Sequence, residues 1–251
     1  MLIGGLEKLT LIDYPGKVAA IVFTSGCNFR CQFCYNPMLV WPSKQTESEQ
    51  SKNTAGHPRN KGQDNNPSLY FEDDLFHFLE KRAGKLDGAV ITGGEPTLHK
   101  DLPEFIKKIK DLGYAVKLDT NGTNPMMIKK LLKLKLIDYI AMDLKAPKNK
   151  YKLVTGITVN FQKIKESVKI IRQCGLPYEF RTTILPVLLS AKDVAIMGRL
   201  LSGADKWYLQ KFKADTELVN PEFKAEEPYS NKEMDNLVSI GRKYVKLCAW
   251  R

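Results

Sequence analysis

Short apolar segments alternate with amphipathic ones along most of the chain. The run KVAAIVFT at 17–24 is apolar and ends at Ser25-Gly26, which predicts a strand that leads into a loop. From residue 70 onward, strand-like and helix-like patterns follow each other regularly. We predict strands at 17–24, 87–92, 114–119, 137–143, 177–185 and 205–210. We predict helices at 72–83, 101–112, 125–134, 160–173, 191–202 and 231–246.

This alternation predicts a parallel sheet whose strands are joined by helical crossovers. The six predicted strands are fewer than the eight that close a complete barrel of this kind. The sequence therefore predicts an α/β fold, an open partial (β/α)6 barrel similar to a TIM barrel. The chain of 251 residues is long enough for one sizeable core, and we interpret residues 1–251 as a single domain.

One polar stretch interrupts the regular pattern. Residues 43–68 contain almost no apolar side chain and are rich in Ser, Asn, Gln, Lys and Gly. Such a composition cannot contribute to a packed core, so we predict a flexible surface insertion at about 43–68. His57 lies in this stretch and is interpreted as a solvated loop residue rather than as a ligand.

Positive charge is spread along the chain. Lys and Arg number 39 against 28 Asp and Glu, which gives a formal net charge of +11. We interpret this first as solvated helix faces, and charge alone does not exclude a patch for an acidic partner, an electron-donor protein or nucleic acid.

The sequence contains neither a run of about 18 apolar residues nor the pattern of a secretory signal. We therefore expect a cytoplasmic protein that needs neither a membrane nor a nucleic acid as its partner.

Three of the five cysteines, Cys27, Cys31 and Cys34, follow the first predicted strand with the spacing CxxxCxxC. Clustered thiols of this kind indicate a metal site rather than a disulfide scaffold. Structural zinc needs four ligands, and no second CxxC or His pair follows downstream. An all-cysteine 4Fe-4S cluster would need a fourth thiolate, so three thiolates imply an iron with an open site. We interpret Cys174 and Cys248 as partly buried small hydrophobic residues.

The other unusual segments also follow predicted strands. These segments are TSGCNFRC at 24–31, TGGEPT at 92–97, DTNG at 119–122 and MDLK at 142–145. The C-terminal ends of parallel strands meet at one face of an α/β fold, where active sites are built. The sequence therefore predicts that all four segments converge on one site.

The cysteine spacing, the aromatic residue beside the last cysteine and the GGEP turn after the next strand resemble the radical S-adenosylmethionine (SAM) superfamily. In that superfamily, three cysteines hold a 4Fe-4S cluster whose open iron binds SAM, and reductive cleavage of SAM yields a 5′-deoxyadenosyl radical that abstracts a hydrogen atom. The resemblance implies both cofactors and gives Cys27, Cys31 and Cys34 the catalytic role. It assigns the SAM site to Phe33, Cys34, Tyr35, Gly93, Gly94, Glu95, Asp119, Asn121, Asp143, Leu144, Lys145, Arg181 and Gln210.

The two aspartate segments are similar to those of the activases of glycyl-radical enzymes. That resemblance implies that Asp119 and Asp143 share a monovalent cation with the SAM carboxylate. A narrower group, the activators of anaerobic ribonucleoside-triphosphate reductase, is similar at further segments. These segments are LIDYPG at 11–16, the region from Phe23 to Cys34, ITGGEPT at 91–97, LDTNG at 118–122 and YEFRTT at 178–183.

Several features depart from this pattern. Tyr35 stands where the activases usually have a histidine after the third cysteine, and Gln210 stands where one of them has a histidine that contacts the cofactor. The insertion at 43–68 is not part of the pattern, and no second cysteine-rich cluster domain is present. The cysteine motif itself is unchanged.

The sequence leaves three hypotheses for the function of this protein. The leading hypothesis is an activase that abstracts a hydrogen from a glycine of a partner glycyl-radical enzyme, with anaerobic ribonucleoside-triphosphate reductase as the expected partner and reduced flavodoxin or ferredoxin as the electron donor. A second hypothesis keeps both cofactors but changes the substrate to another peptide or a small molecule. The third is a non-enzymatic iron-sulfur electron carrier, which would have no need of the pocket that GGEP and the aspartates indicate.

Overall fold

One eight-stranded sheet organises the computed structural model, which describes residues 1–41, 70–214 and 217–251. The strands stand in the sheet in their chain order. They are β1 (Ile3–Thr10), β2 (Ala19–Thr24), β3 (Gly88–Gly93), β4 (Ala115–Thr120), β5 (Tyr139–Asp143), β6 (Tyr178–Ile184), β7 (Lys206–Lys211) and β8 (Leu247–Trp250). Because β1 and β8 stand at opposite ends of this order and do not pair, the sheet is open.

The predicted open α/β barrel is confirmed, and its six predicted strands are β2 to β7. Strands β2 to β8 pair in parallel, whereas β1 pairs antiparallel with β2. The count of six was wrong, because it missed the two edge strands. Strand β1 was missed because its sequence lacks an apolar alternation, and only its terminal residues Ile3 and Thr10 are buried. Strand β8 was missed because it has only four residues.

Helices connect the parallel strands, as predicted. They are α1 (Pro37–Val40), α2 (Glu72–Arg82), α3 (Leu102–Asp111), α4 (Pro125–Lys133), α5 (Tyr151–Thr155), α6 (Phe161–Arg172), α7 (Ala191–Leu200) and α8 (Asn231–Gly241). All six predicted helices are present, and the short helices α1 and α5 were not predicted. The prediction for α8 was too long, because the chain leaves the helix after Gly241 so that Lys246 and Leu247 can pair beside β7.

The core lies on both faces of the sheet. Ala89, Val90 and Ile91 of β3 are each at most 1% exposed, as expected for a parallel strand that is covered on both sides. Leu75 and Leu79 of α2 are fully buried on the outer face. This packing fixes the strand ends that carry the candidate site.

The predicted insertion at 43–68 and His57 lie outside the described residues. Among the helices of the described residues, none has the length and apolar character needed to cross a membrane.

Candidate functional site

A cavity of about 360 Å³ opens at the C-terminal ends of the parallel strands. Six strands contribute lining residues: Phe23 from β2, Gly93 from β3, Asp119 from β4, Asp143 from β5, Arg181 from β6 and Gln210 from β7. The structure therefore brings together the segments that the sequence predicted to converge. Of the residues assigned from sequence, all line this cavity except Leu144.

The loop after β2 carries the three cysteines, whose thiols are all free. It is folded by its own hydrogen bonds: the Arg30 guanidinium donates to the carbonyls of Cys27 and Phe29 at 2.6 and 2.7 Å, and the Phe29 N–H donates to Cys27 Sγ at 3.3 Å. Burial raises the pKa of Cys27 to about 11 and that of Cys31 to about 12. The thiols of Cys27 and Cys31 are therefore protonated at neutral pH until a positive centre binds them.

The three thiols fit an iron-sulfur cluster by their donor chemistry. They share one cavity wall and interact electrostatically with one another and with Lys145, whose charge favours the thiolate form. Within residues 1–41, 70–214 and 217–251, no group of three or more His, Cys, Asp or Glu side chains is arranged to hold a metal ion. Three soft sulfur donors beside room for an organic ligand suit a cluster with one open iron better than a mononuclear site.

The GGEP turn is joined directly to the cysteine loop. The Gly94 N–H donates to the Thr24 carbonyl at 2.9 Å, and the Glu95 N–H donates to the Gly26 carbonyl at 2.8 Å. A Cβ on Gly93 would lie 2.3 Å from the Thr24 nitrogen, and one on Gly94 would lie 2.0 Å from the Gly26 oxygen. The two glycines are therefore required by the close approach of this turn to the cysteine loop, in addition to any contact with a ligand.

Glu95 ties the same turn to the end of β4. Its carboxylate accepts hydrogen bonds from the Thr97 N–H at 3.1 Å, the Thr120 hydroxyl at 2.7 Å and the Asn121 N–H at 2.6 Å. It also accepts one from the Thr97 hydroxyl. Although Glu95 lines the cavity, it is 1% exposed, and its oxygens are engaged by protein donors. Its observed role is to hold two strand ends in register.

A chain of ion pairs crosses the neighbouring strand ends. Arg181 donates to Asp119 Oδ2 at 2.8 Å and to Asp143 Oδ1 at 2.7 Å. Lys117 pairs with Asp119, and Lys145 pairs with Asp143 at 3.0 Å. Three cations thus surround two carboxylates within this group of five side chains.

Burial and these neighbours act in opposite directions on the acids. Burial alone would raise the pKa of Asp119 and Asp143, but Arg181 together with Lys117 or Lys145 holds both pKa values below the ordinary range. Burial would lower the pKa of Lys145, but Asp143 raises it above its usual value. Asp119, Asp143 and Lys145 are therefore charged at neutral pH.

The remaining assigned residues occupy the cavity wall in different ways. Phe33 is 3% exposed, and the Tyr35 ring stacks on Phe212 with centroids 6.2 Å apart. The Asn121 side chain donates to Asn28 in the cysteine loop at 2.8 Å, which links β4 to that loop.

Leu144 does not line the cavity. Its side chain is fully buried in the core, and its backbone bonds to β6 through the Arg181 carbonyl and the Thr182 hydroxyl. The period of two along an extended segment explains this, since Asp143 and Lys145 face one side and Leu144 faces the other.

Sequence reasoning missed several lining residues, including Asp13, Thr92 and Thr183. Asp13 belongs to the LIDYPG segment that the resemblance noted without assigning it to the site. Thr183 lies two residues beyond Arg181 on β6, and the same period of two would have placed it on the cavity side.

The chain is similar to known proteins over most of its length. The family model described as "Radical SAM superfamily" matches residues 21–194. A protein of Methanocaldococcus jannaschii named as a glycyl-radical enzyme activating enzyme is 32% identical over 249 residues, which cover 97% of this chain and 93% of that protein. A second protein of the same organism and similar name is 26% identical over 82% of this chain and 70% of its own length.

Solved structures show the same fold. The crystal structure of Streptococcus suis SuiB bound to S-adenosylmethionine superposes with a TM-score of 0.61 at 15% identity. The match covers 90% of this chain and 48% of SuiB, so this chain spans about half of that longer protein. The structural similarity therefore applies to the fold of this chain and not to the rest of SuiB.

Proposed function

Since the chain belongs to the radical SAM superfamily, we propose that it is the activating enzyme of a glycyl-radical enzyme. The observation that carries the proposal is that three thiols, the GGEP turn and the ion-paired side chains of Asp119, Asp143, Lys145 and Arg181 line one cavity at the strand ends. The end-to-end likeness to the Methanocaldococcus jannaschii protein named as such an activase supports the choice of substrate class.

In this proposal, Cys27, Cys31 and Cys34 hold the 4Fe-4S cluster, and the rest of the cavity binds SAM. When bound, the two cofactors supply a one-electron reductive cleavage whose radical product takes a hydrogen atom from the substrate. The chain's own contribution is to bind, to orient and to exclude water.

The charged wall suits the methionyl part of SAM. Arg181 and Lys145 are the two cationic side chains that line the cavity, and each of them can attract a carboxylate. The Gly93-Gly94 edge lines the same cavity and lacks side chains that would keep a ligand from the backbone. We assign Phe33, Tyr35, Asn121 and Gln210 to the remaining wall of the SAM site.

The resemblance also implied a monovalent cation at Asp119 and Asp143. The ion pairs do not favour it, because Arg181 already donates to both carboxylates. Their remaining oxygens accept from Lys117 and Lys145.

The proposed partner is an anaerobic ribonucleoside-triphosphate reductase. We expect the reduced, cluster-loaded protein, mixed anaerobically with SAM and a reductase from the same genome, to produce the doublet signal of a glycyl radical in electron paramagnetic resonance (EPR). The formation of 5′-deoxyadenosine should accompany it. Deuterium placed at the glycine Cα of the reductase should be recovered in the 5′-deoxyadenosine, because the hydrogen is taken directly.

The controls separate the cofactor assignment from the partner assignment. A reductase with alanine in place of the radical glycine should give no doublet, and Cys31→Ala should abolish both products. If SAM is cleaved while the reductase stays free of radical, the protein is a radical SAM enzyme for another peptide or small molecule. If SAM leaves the EPR spectrum of the reduced cluster unchanged, the proposal of a SAM enzyme is overturned.

A further inference from the structure

A groove of about 440 Å³ lies between α5 and the start of α6 and shares no lining residue with the cysteine cavity. It is lined by three exposed lysines, Lys148, Lys152 and Lys165. In the described part of the chain none of the three has a carboxylate partner, whereas Lys150 between them is paired with Asp193 at 2.7 Å. The groove therefore presents uncompensated positive charge to solvent.

Aromatic rings connect this groove to the cysteine loop. Tyr151 and Phe161 line the groove, and their ring centroids are 5.3 Å apart. Tyr151 also contacts Phe29, with centroids 6.2 Å apart. Phe29 in turn donates its backbone N–H to Cys27 Sγ at 3.3 Å. Two ring contacts and one backbone hydrogen bond thus lead from the groove to a proposed cluster ligand.

The backbone makes a second connection at the same place. The Arg30 N–H donates to the carbonyl of Thr155, the last residue of α5, at 2.7 Å. Gly156 approaches so closely that a Cβ there would lie 2.6 Å from the Arg30 oxygen. Helix α5 therefore packs directly on the cysteine loop and is the layer that separates this loop from the groove.

We propose that this lysine-lined groove is the docking site of an acidic one-electron carrier protein that reduces the cluster. The inference rests on the proposed function, which requires one electron for each SAM cleaved. The carrier is oxidised by one electron, the cluster is reduced by one electron, and no atom is transferred. The lysines supply charge complementary to the carrier. The cavity at the strand ends stays free for SAM and the substrate.

Charge reversal tests the groove. The variant Lys148→Glu/Lys152→Glu/Lys165→Glu is compared with Lys81→Glu/Lys85→Glu/Lys243→Glu, which reverses three exposed lysines elsewhere on the barrel. Stopped-flow absorbance follows cluster reduction by reduced flavodoxin, an acidic flavoprotein. At low ionic strength we expect the groove variant to be reduced about tenfold more slowly than the control variant, with a smaller difference at high salt.

Two further measurements make the result specific. Reduction by dithionite should proceed equally in both variants, and calorimetry with oxidised flavodoxin should show weaker binding to the groove variant only. Equal reduction of both variants by flavodoxin would overturn the proposal. So would normal reduction combined with a loss of radical transfer to the reductase, which would make the groove a substrate-docking surface. Failure of the proposed function is distinct, since dithionite-reduced wild-type protein would then form no glycyl radical on the reductase.

The buried ion pairs carry a second, independent inference. We infer that Arg181 occupies the position between Asp119 and Asp143 that a monovalent cation would take. The guanidinium donates to both carboxylates at 2.7 and 2.8 Å, and the Arg181 side chain is 13% exposed. A metal cation at the same oxygens would be repelled by three neighbouring positive charges and would have to displace one of them.

The dependence on salt tests this inference in the wild-type protein. Calorimetry with SAM and the cluster-loaded protein should give the same affinity in potassium, sodium and tetramethylammonium chloride. Potassium should also leave the thermal midpoint of the cluster-free protein unchanged relative to tetramethylammonium, because a ligand that fills a native site raises that midpoint. For Arg181→Gln we expect weaker SAM binding that potassium partly restores. A wild-type protein that needs potassium or sodium for SAM binding would overturn the inference.

Discussion

At the scale of single residues, the charged wall of the cavity depends on contacts between different strands. Asp143 on β5 stands beside Arg181 on β6 in the parallel register, and Arg181 reaches across to Asp119 on β4. Since each acid has two cationic partners, removing one carboxylate leaves cations uncompensated in a largely buried place.

Asp143→Asn tests this wall. We expect the variant to keep its cluster but to bind SAM about tenfold more weakly, a loss of about 1.4 kcal/mol, because Arg181 and Lys145 lose the charge that orients them. Asp138→Asn is the matched control, since Asp138 precedes the same strand at its opposite end and pairs with Lys110. Calorimetry with SAM should separate the two, and loss of iron from Asp143→Asn would contradict its assignment to the cofactor pocket.

The cysteines give a second prediction at this scale. Replacing Cys27, Cys31 or Cys34 by alanine should abolish the cluster, because each supplies one of only three thiolates. Replacing Cys174 or Cys248 should not, since neither lines the cavity. Iron and sulfide analysis with EPR of the reduced protein measures the outcome. A cluster that depends on Cys174 or Cys248 would refute the three-ligand site.

At the scale of elements, helix α7 has a capped N-terminus. Ser190 and Asp193 form a capping box, and Asp193 also accepts a hydrogen bond from Lys150 at 2.7 Å. Burial alone would raise the pKa of Asp193, but Lys150 and Ser190 lower it below the ordinary value. A lowered folded-state pKa means that the stabilisation is present above the unfolded pKa and is lost as the pH falls.

Asp193→Asn should therefore destabilise the protein by about 1 to 3 kcal/mol at neutral pH, through the loss of a cap and of a charged hydrogen bond. The difference from wild type should shrink as the pH falls below about 3.9, the ordinary Asp value. Glu233→Gln is the control, because Glu233 holds the same position in the capping box of α8 but has no lysine bond. Denaturant unfolding at several pH values checks this, and a difference that persists in acid would contradict it.

At the scale of the whole molecule, the open sheet gathers six strand ends around one cavity, and all eight described strands lie outside residues 43–68. Replacing residues 45–66 by a short Gly/Ser link should change the free energy of unfolding by less than about 2 kcal/mol, since loop-closure cost grows slowly with length. SAM cleavage should persist. Unfolding curves and 5′-deoxyadenosine assays measure both, and a folded variant without cleavage would instead assign the segment to the site.

Strand β1, helix α8 and Glu95 show what the sequence patterns did not predict. The edge strand β1 was not predicted because only its two ends are buried. The helix α8 was extended past Gly241 because its amphipathic pattern continues into residues 242–246, which instead form the turn that leads into β8. Glu95 was assigned to the cofactor, yet its carboxylate is held by Thr97, Thr120 and Asn121. The last two partners lie on another strand end, where no local pattern points to them.

The sequence by itself determined the cysteine loop, because its ligands lie within one short segment, and the order of strands and helices, because their periods are local. It also determined where the motifs meet, since parallel strands align their C-terminal ends. Only the tertiary structure decided that Arg181 bridges Asp119 and Asp143 and that Tyr151 contacts the cysteine loop. These contacts join residues that are distant along the chain, and they form only when the barrel brings the strands and α5 side by side.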